Sequence, residues 1–180
     1  MSPAKDATAN VLGALALTIA DQINDRAAAA CEQTGSTAAA LSALAEFLDR
    51  PTQEQMRQVL GLTPSGVVRL VDRMVDAGRV ARRPGDDARS RSVVLTAKGR
   101  RAATRIATAR AGYLEQLLGG LSATEAQTLH AILTKVATEV VAAKDGGAWV
   151  CRLCDLDACG RAEGRCPTAN AAAIKYGTNT

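Results

Sequence analysis

Aromatic side chains are almost missing from this sequence: one Trp, two Tyr and one Phe among 180 residues. A core without aromatic bulk is built from Ala, Val and Leu. Chains rich in Ala and Leu favour helix, because those side chains lose little freedom there. There is a single histidine, His130, and no phosphate loop, metalloprotease helix or nucleophile-plus-base pattern, so no enzyme of those kinds is expected. No run approaches the roughly 18–20 apolar residues that a membrane span needs. The stretch from Val11 to Ala20 has the apolar character of a signal-peptide core. However, Asp6 sits in the would-be positive region, and Asp21 and Asp25 follow with no small-residue cleavage pattern. The expectation is instead an amphipathic first helix in a cytoplasmic protein. There, clustered cysteines are ligands or redox groups more often than structural disulfides.

What is present divides the chain in two. Residues 1–145 read as a mainly α body and residues 146–180 as a small cysteine-rich tail. A helix is expected over 7–30, broken near Thr34-Gly35. Ser36 or Thr37 is placed to cap the next, which runs to Leu48 with Leu41, Leu44, Ala45 and Leu48 at helical spacing. Asp49-Arg50-Pro51 stops it. Thr52 with Gln55 three residues on is a capping box for a short helix ending at Leu60-Gly61. Thr63-Pro64 opens another, a hydroxyl cap with Pro at the first helical position, which reaches the C-cap glycine Gly78. The period then changes. Val80, the turn Pro84-Gly85-Asp86-Asp87, and Val93-Val94-Leu95 suggest a two-stranded hairpin. Thr96 caps a long helix to Leu118. Ser122 and Glu125 form a second capping box for a last helix to about Lys144, before Asp145-Gly146-Gly147.

Two helices joined by Gly61-Leu62-Thr63, the second followed by a basic hairpin, make a winged helix-turn-helix. In the second helix Val67, Leu70, Val71, Met74 and Val75 form an apolar docking stripe. Its other face offers Ser65, Gly66, Val68, Arg69 and Arg73 to a major groove: a hydroxyl, bare backbone, a side chain that fits a thymine methyl, and two arginines. Charge concentrates beside it. Between residues 64 and 101 there are ten basic residues (Arg69, Arg73, Arg79, Arg82, Arg83, Arg89, Arg91, Lys98, Arg100, Arg101) against four Asp. That segment's net +6 exceeds the whole chain's +4, so it is the electrostatic footprint for double-stranded DNA.

The run from Leu62 to Met74, then Gly78, Asp87-Ala88-Arg89-Ser90-Arg91, and Leu95-Thr96-Ala97-Lys98-Gly99 resembles the MarR family of bacterial transcriptional regulators. The resemblance covers roughly residues 10–143. It implies a homodimer built from the first and last helices, with one winged module per lobe on a pseudo-palindromic operator. It also implies that Arg89 enters the minor groove, where a narrow groove concentrates negative potential, with Asp87 orienting it. The chain departs from the family at Gly66 and Val68, where members often carry Ser or Thr, and this bears on base preference.

Cys151, Cys154, Cys159 and Cys166 give the spacing C-x2-C-x4-C-x6-C. Four thiolates so close can surround one zinc ion or anchor an iron–sulfur cluster. Gly160 and Gly164 permit tight turns, and the segment has too few apolar residues to fold without a metal. Arg152, Arg161 and Arg165 offset thiolate charge. A single C-x2-C unit with no histidine nearby weakens the zinc reading, although C-x2-C-x4-C looks like part of a zinc knuckle. Cys166-Pro167 looks like the Cys-Pro ending of bacterial ferredoxin runs, and a cysteine cluster after a dimerisation helix looks like the arrangement in SoxR-type redox regulators. Iron–sulfur is therefore preferred and Zn²⁺ is the alternative; thiols that form two disulfides on oxidation are a third possibility. Cys31 reads as a core residue, His130 as an ordinary helix-face side chain, and Trp149 as packing over the metal site.

Three functions follow. The first is a regulator whose DNA affinity responds to a redox-sensitive cluster through a tail abutting the dimerisation helices. The second is a similar regulator with a structural zinc tail and a small-molecule effector. The third, a thiol oxidoreductase using Cys151-Arg152-Leu153-Cys154, lacks the βαβ setting that such a motif needs.

Overall fold

A computed structural model describes residues 2–85, 91–143 and 148–177, the last group from Val150 onward with side chains. The body consists of α1 (Pro3–Cys31), α2 (Gly35–Glu46), α3 (Gln53–Leu60), α4 (Pro64–Asp76), β1 (Val80–Pro84), β2 (Arg91–Leu95), α5 (Ala97–Leu118) and α6 (Ala123–Ala143). The tail holds a short 3-10 helix (Ala148–Cys151), α7 (Leu156–Cys159) and α8 (Pro167–Tyr176). None of the described helices is long and apolar enough to cross a membrane.

Capping residues set most of these boundaries. Thr52 Oγ1 accepts from the Gln55 amide while Gln55 Oε1 accepts from the Thr52 amide, a closed box. Thr63 Oγ1 accepts from Gly66 N, with Pro64 just inside the helix. Ser122 and Glu125 form the second box at the start of α6. At α2 the expected cap is corrected: Thr34, not Ser36 or Thr37, caps the helix by accepting from Thr37 N. The helix ends at Glu46 rather than Leu48. Thr37 is instead a buried member of that helix, its hydroxyl 3.2 Å from that of Thr34.

The core lies where α2, α4, α5 and the C-terminal end of α1 meet, around Leu41, Met56, Leu70, Val71, Met74, Val93 and Ile106. The expected stripe of α4 is buried, with Val75 at its margin. Cys31 is fully buried as expected, and burial pushes its thiol pKa up despite the charges of Arg79 and Arg105.

β1 and β2 pair antiparallel from Val80–Leu95 to Pro84–Arg91. A third contact reaches back to the start of α3: Val93 N donates to Pro51 O at 2.9 Å, and Thr52 bridges Ser92. The hairpin is thus bound to the helix-turn-helix through the middle of β2.

The base of the wing is also pinned to α5. Thr96 caps α5 by accepting from Gly99 N, its own amide donates to Arg79 O, and its hydroxyl lies 2.8 Å from Gly78 O. A Cβ on Gly99 would lie 2.0 Å from Arg79 O, a backbone atom that cannot turn aside. Gly99→Ala is therefore expected to lower stability by about 3 kcal/mol, the upper part of the range for overpacking. Urea unfolding at fixed protein concentration checks this; an unchanged midpoint would show that α5 and β1 separate freely.

Candidate nucleic-acid interface and cysteine cluster

The N-terminal half of α4 presents Ser65, Val68 and Arg69 to solvent, and Arg73 follows one turn later. These positions alternate with the buried Val67, Leu70, Val71 and Met74, so docking of the stripe leaves the polar face outward. Gly66 is half-buried, and a Cβ there would lie 3.0 Å from Thr63 Oγ1. Glycine therefore keeps the cap hydroxyl close and the backbone bare at this end of the helix.

The wing adds Arg82, Arg83 and Arg91, all exposed. Arg82 is paired with the Asp72 carboxylate of α4, which joins the hairpin to the helix as one surface. Arg50, expected only as part of a helix stop, donates from Nη2 to Pro84 O at 3.0 Å and ties the α2–α3 connection to the wing. One member of the expected footprint is corrected. Arg79 is only 5% exposed, with Nη2 donating to Cys31 O at 2.5 Å, so its charge serves the interior. Asp87 and Arg89 lie outside the described residues.

The tail brings its four cysteines together without a disulfide. Each short element carries one at an end: Cys151 closes the 3-10 helix, Cys159 closes α7, and Cys166 is the N-cap of α8. The thiols meet in two pairs, Cys151 with Cys154 and Cys159 with Cys166. The Thr168 hydroxyl lies between pairs, 3.2 Å from Cys166 Sγ and 3.7 Å from Cys151 Sγ. Among the described residues no group of three or more Cys, His, Asp or Glu is set to hold one metal ion.

Each pair is electrically asymmetric. The Cys154 thiol hydrogen-bonds to Cys151, and with Thr168 and the Arg161 charge this outweighs burial and draws Cys151 down to about 6. Cys154 is correspondingly pushed up, by that hydrogen bond and by burial. In the second pair burial opposes ionisation of Cys166, but Thr168, the Ala169 amide and Cys159 together lower its pKa. Burial and the Cys166 contact raise that of Cys159.

The segment docks on the body. Leu156 N donates to Glu46 Oε2 of α2 at 3.0 Å, Leu153 packs against the core cluster, and the 3-10 helix lies against α3. At the far end α8 lies on α6, where Lys175 Nζ donates to the carbonyls of Ala142 at 2.8 Å and Val141 at 3.2 Å. The tail thus lies against α6, the last helix of the body, as expected, and also touches α2 and α3. The side chain of Trp149 lies outside the described residues. His130 is exposed on α6.

Residues 34–90 match the model of the MarR family. No curated protein matches the chain. Among solved structures, RV1404 from Mycobacterium tuberculosis is similar at a TM-score of 0.63 and 24% identity, over 81% of this chain and 98% of that one. A MarR-family transcriptional regulator from Rhodococcus sp. RHA1 gives 0.56 and 20%, over 76% and 97%. A point mutant of S. aureus MepR, bound to an oligodeoxyribonucleotide, gives 0.56 and 18%, over 74% and 97%. At these identities the structural likeness establishes the fold.

A lowered thiol pKa is a charge present above that value and lost below it. In reduced, metal-free protein the ultraviolet absorbance of thiolate is therefore expected to show a step near pH 6. Cys151→Ser should remove it. A titration with all steps near the ordinary thiol value would refute the asymmetry.

Proposed function

We propose that the protein, whose residues 34–90 match the model of the MarR family, is a homodimeric transcriptional regulator that binds a pseudo-palindromic operator in double-stranded DNA. The observation that carries this reading is the exposure of Ser65, Val68, Arg69 and Arg73 on α4 and of Arg83 and Arg91 on the wing, two elements joined by the Arg82–Asp72 pair. Arginines at a major groove read guanine edges, and wing arginines neutralise phosphates. Arg89 with Asp87 supplies the minor-groove contact that family resemblance implies. Arg82, held by Asp72, completes the cationic surface.

Dimerisation rests on unburied apolar surface. In α1 only Ala27 and Cys31 are buried, while Val11, Leu12, Leu15 and Leu17 are open to solvent. In α6 only Val141 is buried, and Ile132, Leu133 and Val140 are open. Long helices exposing this much apolar surface call for a partner, and a second copy of the same helices answers with twofold symmetry.

The cysteine cluster would hold an iron–sulfur cluster, with Zn²⁺ as the alternative, on Cys151, Cys154, Cys159 and Cys166. Four free thiols, two of them favoured as thiolates, supply the donor chemistry that either group requires. Since the sulfurs meet in pairs, loading would draw the two pairs together. When bound, an iron–sulfur cluster would make the site sensitive to redox conditions, and DNA affinity would follow its presence. A second reading, a structural zinc tail with a small-molecule effector, is favoured by a cleft of about 520 Å³ between α2, the wing, α5 and Leu153–Asp155.

Arg69→Ala and Arg73→Ala are each expected to weaken operator binding by about 1–3 kcal/mol and to relax base preference. Arg91→Ala should weaken all sequences alike and reduce the salt slope by about one. Fluorescence anisotropy at several salt concentrations measures both. Visible absorbance with iron and zinc analysis of anaerobically purified protein tests the site. A brown protein whose operator affinity falls with oxidant, and a Cys154→Ala variant indifferent to it, are expected. A colourless protein with stoichiometric zinc selects the second reading, and identical oxidant responses in both proteins defeat the first.

A further inference from the structure

The tail touches two parts of the protein that a regulator must coordinate. Its first half is docked on the DNA-reading side. The Leu156 amide donates to Glu46 at the end of α2, Leu153 enters the margin of the core, and the 3-10 helix lies against α3, the helix that supports α4. Its second half is docked on the long last helix, where Lys175 donates to the carbonyls of Val141 and Ala142 in the last described turn of α6. Such a contact also places a cation at the negative end of a helix dipole.

The cysteines sit at the joints between these halves. The 3-10 helix and α7 end in Cys151 and Cys159, and α8 begins at Cys166. Contact between Cys159 and Cys166 joins α7 to α8, and Thr168 of α8 faces the sulfur of Cys151. Whatever couples these sulfurs therefore couples a unit held by α2 and α3 to a helix held by α6.

We infer that the C-terminal segment is a strap between the DNA-reading module and the dimerisation helices, anchored by Glu46 at one end and Lys175 at the other, with the four-cysteine site as its fastening. This rests on the regulatory reading above and names its route. With the fastening closed, motion of α3 relative to α6 is restrained, and so is the position of α4 in each lobe. With it open, each half stays on its own anchor and the restraint is lost. Half-sites about one helical turn apart tolerate little relative motion between lobes, so the restraint reaches DNA affinity.

Hydrogen exchange on the full-length protein tests the strap without knowledge of the bound group. Replacing all four tail cysteines with serine is expected to raise exchange about five- to tenfold both in α3 and in the last turn of α6, the size of a typical coupling between sites. Glu46→Ala should raise exchange most in α3 and Lys175→Met most in the end of α6, each with a smaller rise at the other end because either change slackens the strap. These two variants also guard against the four-serine protein failing to fold, since both keep every cysteine. Unchanged α3 exchange in the four-serine and Glu46→Ala proteins would overturn the strap. So would exchange that rises only at the altered anchor in both single variants, because the two ends would then not be coupled. Affinity for a DNA duplex selected by the wild-type protein separates the strap from the reading on which it rests. Exchange that responds while affinity stays constant keeps the strap and removes regulation through it. Affinity that depends on the cysteines while α3 exchange stays constant keeps regulation and removes the strap.

Discussion

The C-terminal end of α1 is the point on which the rest of the protein is assembled. The last carbonyls of a helix have no partner within it, and here two arginines from distant segments take them. Arg79 at the base of the wing donates to Cys31 O, and Arg105 of α5 donates from Nε to Ala30 O at 2.9 Å. Both cations also face the negative end of the α1 dipole. Through Arg79, α1 is tied to the hairpin, and through Thr96 and Gly99 the hairpin is tied to α5. A buried guanidinium is costly unless its hydrogen bonds are made, and the Nε atom of Arg79 is buried without one. The hydrogen bond to Cys31 O is therefore the compensation shown for this buried charge, and losing it while the site stays buried would be costly. Arg26 over the ring of Tyr113, 4.7 Å from its centroid, adds a second link between α1 and α5 farther along the pair.

Much of the body was legible in the sequence because its signals are local. Capping boxes at Thr52 and Ser122, the Thr63-Pro64 start and the Thr96 cap each involve residues three apart, and the structure keeps all four. Where local signals compete the sequence misleads: Thr34, Ser36 and Thr37 can all cap, and Thr34 does so while Thr37 is buried. Arg79 shows another limit. In a basic run its charge counts towards a DNA footprint, and only the packing of α1 against the wing reveals it as an interior residue. The tail was legible as a ligand-like spacing but not as an element with anchors. The bond from Leu156 to Glu46 spans 110 positions, and no local pattern announces such a contact.

Removing Arg79 from the footprint, and pairing Arg82 with Asp72, changes how the cationic surface is to be understood. Arg50 and Arg100 also place a guanidinium nitrogen on a backbone carbonyl, Pro84 O and Leu95 O respectively. Part of the positive charge near the wing thus builds the wing, and a smaller set, Arg69, Arg73, Arg83 and Arg91 among the described residues, stands exposed on α4 and the hairpin. Asp72 sets a competition as well. It holds Arg82 against α4 in the free protein, and a phosphate arriving at the same guanidinium offers a stronger, doubly hydrogen-bonded partner.

The same logic links the two ends of the chain. The apolar faces of α1 and α6 are stabilised by being covered, so in the proposed dimer the placement of the two lobes would be set by helices that carry little burial of their own within one chain. Helices in that condition are responsive to small additional contacts, because no deep core within the chain holds them. α8 supplies such a contact, placing Lys175 on the last carbonyls of α6. The α1–α5–wing junction, by contrast, is buried and bonded on several sides. In the proposed dimer, a signal that alters lobe spacing without unfolding the winged-helix module would act most economically at the end of α6, where α8 lies.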